Sequence, residues 1–232
     1  MARPEGRTLD VAPTRPVIVE LVGPAGAGKS AVKHALSGRD ATVRPGLRID
    51  RYRHLPLIIG HALPLVPTGM ALLWNAPRSW WPSLRLLARL ATLHAVLRRE
   101  ASQAYRAVIL DEGPVFTLTR LRVFEAASFQ NARFARRWRT ALEQWAATLD
   151  VVIWLDAPDH VLTQRIRSRP KAHRVKERSD QAIGEFLARY RQAYRLVLDQ
   201  MATVNRIKLV EISTATQSAD QIAATILAGL EP

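Results

Sequence analysis

The sequence predicts a three-layer α/β fold, with a mostly parallel central sheet of about five strands flanked by helices. Three observations lead there. β-prone runs recur at 17–22, 107–110, 151–155 and 207–212, separated by stretches with apolar residues at helical spacing; this alternation favours parallel strands joined by right-handed crossovers. The runs at 107–110 and 151–155 hold no charged residue, as expected of strands covered on both faces. The first run passes directly into Gly23-Pro24-Ala25-Gly26-Ala27-Gly28-Lys29-Ser30, which meets the phosphate-loop pattern at every specified position. The expected fold is therefore of the P-loop NTPase type.

Composition sets outer limits. A chain of 232 residues, 48% hydrophobic, suits one domain with a substantial core. The absence of cysteine excludes disulfides and thiolate metal sites and fits a reducing, cytoplasmic compartment. Lys and Arg number 34 against 20 Asp and Glu, a formal net charge of +14, which favours anionic partners: nucleotides, nucleic acid or an acidic membrane surface. No nucleic-acid reading motif is present, so that partner is not expected. Residues 1–16 carry arginines and prolines without an apolar segment and read as a flexible N-terminal arm, not a signal peptide. Residues 17–232 then form a single domain.

In chain order, Val17–Val22 is the first strand. In the loop after it, glycines let backbone N–H groups turn onto phosphate oxygens, Lys29 reaches the β/γ-phosphates and Ser30 offers a hydroxyl to Mg²⁺. Gly23, Ala25, Gly26, Ala27, Gly28, Lys29 and Ser30 are thus the expected donor-binding residues, and the positive end of a helix from Lys29 adds to them. That helix should stop near Ser37-Gly38. Residues 41–43 read as a brief second strand ending at Arg44-Pro45-Gly46, on the sheet edge where ligands bind. Asp50, Arg51, Tyr52 and Arg53 follow, a polar cluster that either holds an acceptor or solvates a loop.

Residues 55–74 hold no acidic or basic residue besides His61 and approach bilayer-spanning length. Pro56, Pro64, Pro67 and two glycines speak against one uninterrupted span. The first expectation is buried helices shaping an acceptor pocket; an interfacial, lipid-contacting surface through 55–81 is the second, and a true span the third. Trp74, Trp80 and Trp81 fit the first two. An amphipathic helix is expected over 84–105.

The run 107–110 delivers Asp111 and Glu112 at its carboxyl end. In a phosphate-loop protein such an acid binds Mg²⁺ or accepts the proton of the attacking hydroxyl; Asp111 is the main candidate and Glu112 the second. Gly113-Pro114 breaks the chain before a long helix expected over about 117–148, whose Arg133, Arg136, Arg137 and Arg139 form a solvated face. The strand 151–155 ends at Asp156, and a helix capped by Asp159 leads into a basic stretch, 165–178. Such density suits a lid closing over nucleotide phosphates. A helix over 183–201, a strand over 207–212 and a closing helix near 218–230 complete the chain. The six histidines are scattered without zinc-site spacing.

The order of these parts resembles the nucleoside monophosphate kinase group of P-loop proteins, thymidylate-kinase-like members in particular, over roughly 17–230. GPAGAGKS is similar to the family's loop, LDAPDHVLTQRIRSRPKAHR to its strand leading into an arginine lid, and FLARYRQAYRLVLDQM to the helix that follows. The resemblance implies that Arg165 lies near the adenine or phosphates of ATP and that Arg169 and Arg174 are lid arginines. Arg44-Pro45-Gly46 is similar to the family's acceptor loop but lacks its glutamate. The family places an arginine after the strand-end aspartate to hold the acceptor's phosphate, and Glu112 stands there instead. A glutamate repels a phosphate dianion and can hydrogen-bond the hydroxyls of a neutral acceptor.

The expected function is ATP- and Mg²⁺-dependent phosphoryl transfer to a small acceptor. Lys29, Asp111, Glu112, Arg165 and Arg169 would be catalytic, Arg165 and Arg174 would also hold the donor, and Ser30 and Asp111 would hold the metal. Arg44, Asp50, Arg53 and Glu112 would form the acceptor site. The alternatives are a kinase for a non-nucleotide or lipid-like alcohol and a regulatory ATPase in which Glu112 activates water. A homodimer and membrane association of a cytoplasmic protein are further open expectations.

Overall fold

The computed structural model describes residues 15–230 except 48, 50, 51, 101–104 and 171. Five strands form one sheet in the order β2-β3-β1-β4-β5, with every neighbouring pair parallel. They are β1 (Val17–Val22), β2 (Val43–Pro45), β3 (Ala107–Asp111), β4 (Val151–Asp156) and β5 (Lys208–Ser213). β2 lies two residues beyond its expected position, because Val43 to Pro45 pair in register with Ala107 to Ile109.

The helices form the two outer layers. α1 (Lys29–Leu36), α7 (Asp159–Ser168) and α9 (Ala219–Ala228) cover one face, burying Val32, Leu36, Leu162, Ile166 and Ile222 against Val19, Leu21, Ile109, Ile153 and Leu155. On the other face Ile18, Val22, Val108, Leu110, Val152 and Trp154 meet side chains from α4 (Trp80–Glu100), α5 (Pro114–Phe124), α6 (Ala132–Ala146) and α8 (Asp180–Ala202). Alternate residues of each strand thus supply opposite cores, as the pleat requires.

Three expectations change here. The helix over 117–148 is two helices. After α5 a 3₁₀ segment (Ala126–Gln130) intervenes, and the Asn131 side chain accepts from the backbone N–H of Arg133 and Phe134 at 3.0 and 3.1 Å to start α6. Asp159 is the first residue of α7, after Pro158, and does not cap it; its carboxylate is held by Arg191 of α8 at 2.5 Å. Finally, α2 (Leu55–Ala62), a 3₁₀ turn (Leu63–Leu65) and α3 (Val66–Asn75) are not a buried pair. α2 has no buried residue, and in the rest of this arm only Leu65, Thr68, Gly69 and Leu72 are buried. Of the N-terminal arm, residues 1–14 lie outside the described residues; Arg15 pairs with Asp150 at 2.7 Å.

Candidate nucleotide site

The loop between β1 and α1 is fixed from below by close backbone approach. A Cβ on Gly23 (φ 143°) would overlap the Leu155 carbonyl of β4, and one on Gly26 (φ 83°) would sit 2.9 Å from the Leu162 carbonyl of α7. Those contacts hold the loop across the carboxyl edge of the sheet. Lys29 folds back so that its ammonium donates to the carbonyls of Gly23 (2.6 Å) and Pro24 (2.9 Å). Desolvation lowers its pKa to about 8, against the attraction of Asp111. Ser30, in the first turn of α1, is exposed.

β3 lies beside β1, and its register places Asp111 opposite Leu21. The Asp111 carboxylate accepts a charged hydrogen bond from Lys33, one turn beyond Lys29. Sequence reasoning missed Lys33, because only the β1–β3 pairing brings α1 to the end of β3. Glu112 adopts a left-handed backbone (φ 54°), uncommon for a non-glycine residue. Its carbonyl accepts from Arg89 of α4 at 2.9 Å, and its exposed carboxylate lies 3.8 Å from the same guanidinium. An arginine does reach this corner, from α4 and not from the position after Asp111.

Beneath this corner Glu20 is fully buried in β1 and accepts from the backbone N–H of Val115 (2.8 Å) and Phe116 (3.0 Å). It caps α5, whose preceding Gly113 has no side chain of its own to do so. Burial pushes the Glu20 pKa up to about 8, against those two N–H donors.

A cavity of about 760 Å³ opens over these parts, lined by Gly23, Ala25 to Ser30, Asp111 and Glu112. Phe116, Arg120 and Phe124, at successive turns of α5, form one wall; Phe186 and Tyr190 of α8 form another. The helical spacing of the first three was legible, but it marks a cavity wall as readily as a core face. From the basic stretch Arg165, Arg169 and Arg174 line the cavity. Arg174 lies over the Phe124 ring at 4.3 Å, and His173 packs on Phe186 with centroids 5.5 Å apart. Arg165 donates to the Thr214 hydroxyl (2.8 Å) and carbonyl (2.7 Å) beyond β5. Arg167 instead pairs with Asp180.

Arg44 and Arg53, expected at the acceptor, do not line this cavity. Arg44 binds the Glu100 carboxylate at 2.6 Å and Arg53 lies 3.5 Å from it, with His54 at 3.1 Å. Glu100, at the end of α4, holds all three; burial would raise its pKa, but the Arg44 and His54 hydrogen bonds hold it low. Asp50 lies outside the described residues.

No protein-family model matches the sequence, and no curated protein matches it. Solved structures do. Deoxyadenosine kinase from M. mycoides with bound dCTP is 12% identical, with a TM-score of 0.51 over 92% of this chain and 100% of that one. Thymidylate kinase from Candida albicans is 15% identical, with a TM-score of 0.51 over 93% and 91%. This chain has the P-loop kinase fold. A third neighbour, the YorR protein of Bacillus subtilis in complex with phosphorylated GDP, is 18% identical, with a TM-score of 0.50 over 92% and 95%. At these identities the likeness is one of fold.

Proposed function

We propose that the chain is an ATP- and Mg²⁺-dependent kinase that phosphorylates a small acceptor held between Asp111, Glu112 and α5. The observation that carries this reading is the presence of Lys29, Asp111, Arg165, Arg169 and Arg174 around one cavity. Phosphoryl transfer is mainly positioning and electrostatic stabilisation, which such a ring of groups supplies.

The residues fit a nucleoside triphosphate. The Lys29 ammonium, at the start of α1, rests on loop carbonyls that phosphate oxygens would replace. Bound Mg-ATP supplies the transferable phosphoryl group and a compensating divalent charge. Ser30 and Asp111 would hold the cation, Asp111 leaving Lys33 to do so. Lys29 neutralises the β/γ-phosphates, Arg165 and Thr214 border the donor, and Arg169 and Arg174 belong to a lid over 165–178.

On the acceptor side, Phe116 lines the cavity and would pack against a ring, while Phe124 carries Arg174 over its face. Arg120 points its guanidinium to within 5.7 Å of the Phe116 ring and makes no ion pair among the described residues, so it can take an anionic acceptor group. Glu112, beside Arg89, would bind or deprotonate the hydroxyl. Because the fold neighbours include deoxyadenosine and thymidylate kinases, deoxynucleosides and nucleoside monophosphates are the first acceptors to try.

The test is ADP formation with that panel by wild type, Lys29→Ala and Asp111→Asn. Acceptor-dependent turnover, reduced by about a hundredfold or more in both variants, is expected. Equal turnover by Lys29→Ala removes the loop from the mechanism, and ADP formation indifferent to every acceptor favours a nucleotide hydrolase.

A further inference from the structure

A helix on the surface of a water-soluble protein turns its polar face outward, and the arm formed by α2 and α3 does the reverse. Its buried positions are Leu65, Thr68, Gly69 and Leu72. Leu55, Ile59, Leu63, Val66, Met70, Leu73 and Trp74 face outward, with Leu63, Met70 and Trp74 exposed by 63%, 61% and 89%. The first six recur every three or four residues, with Trp74 next to Leu73 and four beyond Met70, so they form one apolar stripe through both helices and the turn between them, roughly 30 Å long at about 1.5 Å per residue. Trp81, 58% exposed, extends it at the start of α4. Isolated exposed apolar residues are ordinary, but a continuous stripe marks an interaction surface.

Charge selects the partner. Residues 52–99 contain no Asp or Glu. Exposed Arg78 lies between α3 and α4, and exposed Arg85 lies in α4. Arg137, on the arginine-rich face of α6, donates to the Pro64 carbonyl at 3.1 Å, which sets that basic face beside the stripe. An apolar stripe bearing tryptophan and rimmed by arginines is complementary to the headgroups and outer acyl chains of an anionic bilayer.

By length and composition Leu55–Asn75 could cross a membrane. Its packing argues for lying flat. A Cβ on Gly69 would sit 2.5 Å from Leu84, so α3 is pressed against α4, and Arg137 ties the turn to α6. We propose that the outward face of α2 and α3 docks the protein peripherally on an anionic lipid surface, with the stripe immersed to the acyl boundary. This inference is independent of the proposed phosphoryl transfer.

The experiment is co-sedimentation of the full chain with phosphatidylcholine vesicles, with and without about one-third phosphatidylglycerol. Wild type is compared with Ile59→Ser/Met70→Ser/Trp74→Ser and with Arg78→Gln/Arg85→Gln. All three substituted apolar side chains are exposed, and unchanged circular dichroism and Tm verify the folds. Wild type is expected to bind the anionic vesicles, the triple variant at least about tenfold more weakly, and the arginine variant with a reduced dependence on salt. Wild type remaining in the supernatant overturns the proposal, as does equal binding by wild type and triple variant. A wild-type dimer in sedimentation velocity that the triple variant abolishes, without vesicle binding by either, would instead assign the stripe to a second copy of the chain.

Discussion

The ammonium of Lys33 is ion-paired with the carboxylate of Asp111, joining the second turn of α1 to the end of β3. Both side chains are less than one-fifth exposed, so neither charge is well solvated without the other. Lys33→Met and Asp111→Asn should each destabilise the protein in urea unfolding by about 1–3 kcal/mol. The double variant should lose less than the two combined, with a coupling of about 0.5–3 kcal/mol. Strict additivity would show that the pair contributes nothing to stability.

Glu20 gives the fold a pH dependence. Its pKa is about 8 in the folded protein, raised by burial from 4.5. Between those values the folded state keeps a proton that the unfolded chain has released, so stability is highest below the lower value and declines as pH rises towards the upper. The decline should reach a few kcal/mol in urea midpoints taken from pH 5 to 8.5, on the order expected for such a shift. Glu20→Gln should flatten it while losing one of the two backbone hydrogen bonds. A wild-type profile as flat as that of the variant would refute the assignment.

Gly113 is required by its neighbour. Its φ of −76° suits any residue, yet a Cβ there would lie 2.7 Å from the Glu20 carboxyl carbon. Gly113→Ala should therefore cost about 1–3 kcal/mol by overpacking, not by backbone strain. Scanning calorimetry should show Tm lowered by about 2–4 °C for each kcal/mol.

Lys29 should bind a proton when the loop takes a polyphosphate. With a pKa of about 8 in the nucleotide-free protein, it is about half protonated at pH 8, and triphosphate oxygens would complete its charging. Calorimetric titration of ATP in buffers of different ionisation enthalpy should report uptake of about half a proton at pH 8. That uptake should fade at pH 6.5 and be absent in Lys29→Ala, where nucleotide affinity also falls. Equal uptake by wild type and Lys29→Ala would place the titrating group elsewhere.

Much of the architecture was legible because the decisive signals are contiguous. Val17 to Ser30 states a strand, a turn and a helix start in fourteen consecutive residues, and the strands ending at Asp111 and Asp156 announce themselves by unbroken apolar runs. The break before α6 was hidden because Phe134, Trp138 and Leu142 continue the helical spacing of Leu118 and Leu121, and Asn131 acts as a cap only once the turn has formed. Arg44 and Arg53 were read towards an acceptor because they follow a strand end, but Glu100, some fifty residues later, holds both.

The sequence by itself determined the phosphate loop, the β-prone runs and the basic stretch after β4, since each depends on neighbours within a few positions. Tertiary structure decided which groups meet at the site: Lys33 with Asp111, Arg89 with Glu112, Glu20 with the start of α5, and Arg174 with Phe124. It also turned the apolar stripe of α2 and α3 outward. Strand order and helix packing fix these relations, and they join side chains that the sequence keeps tens of residues apart.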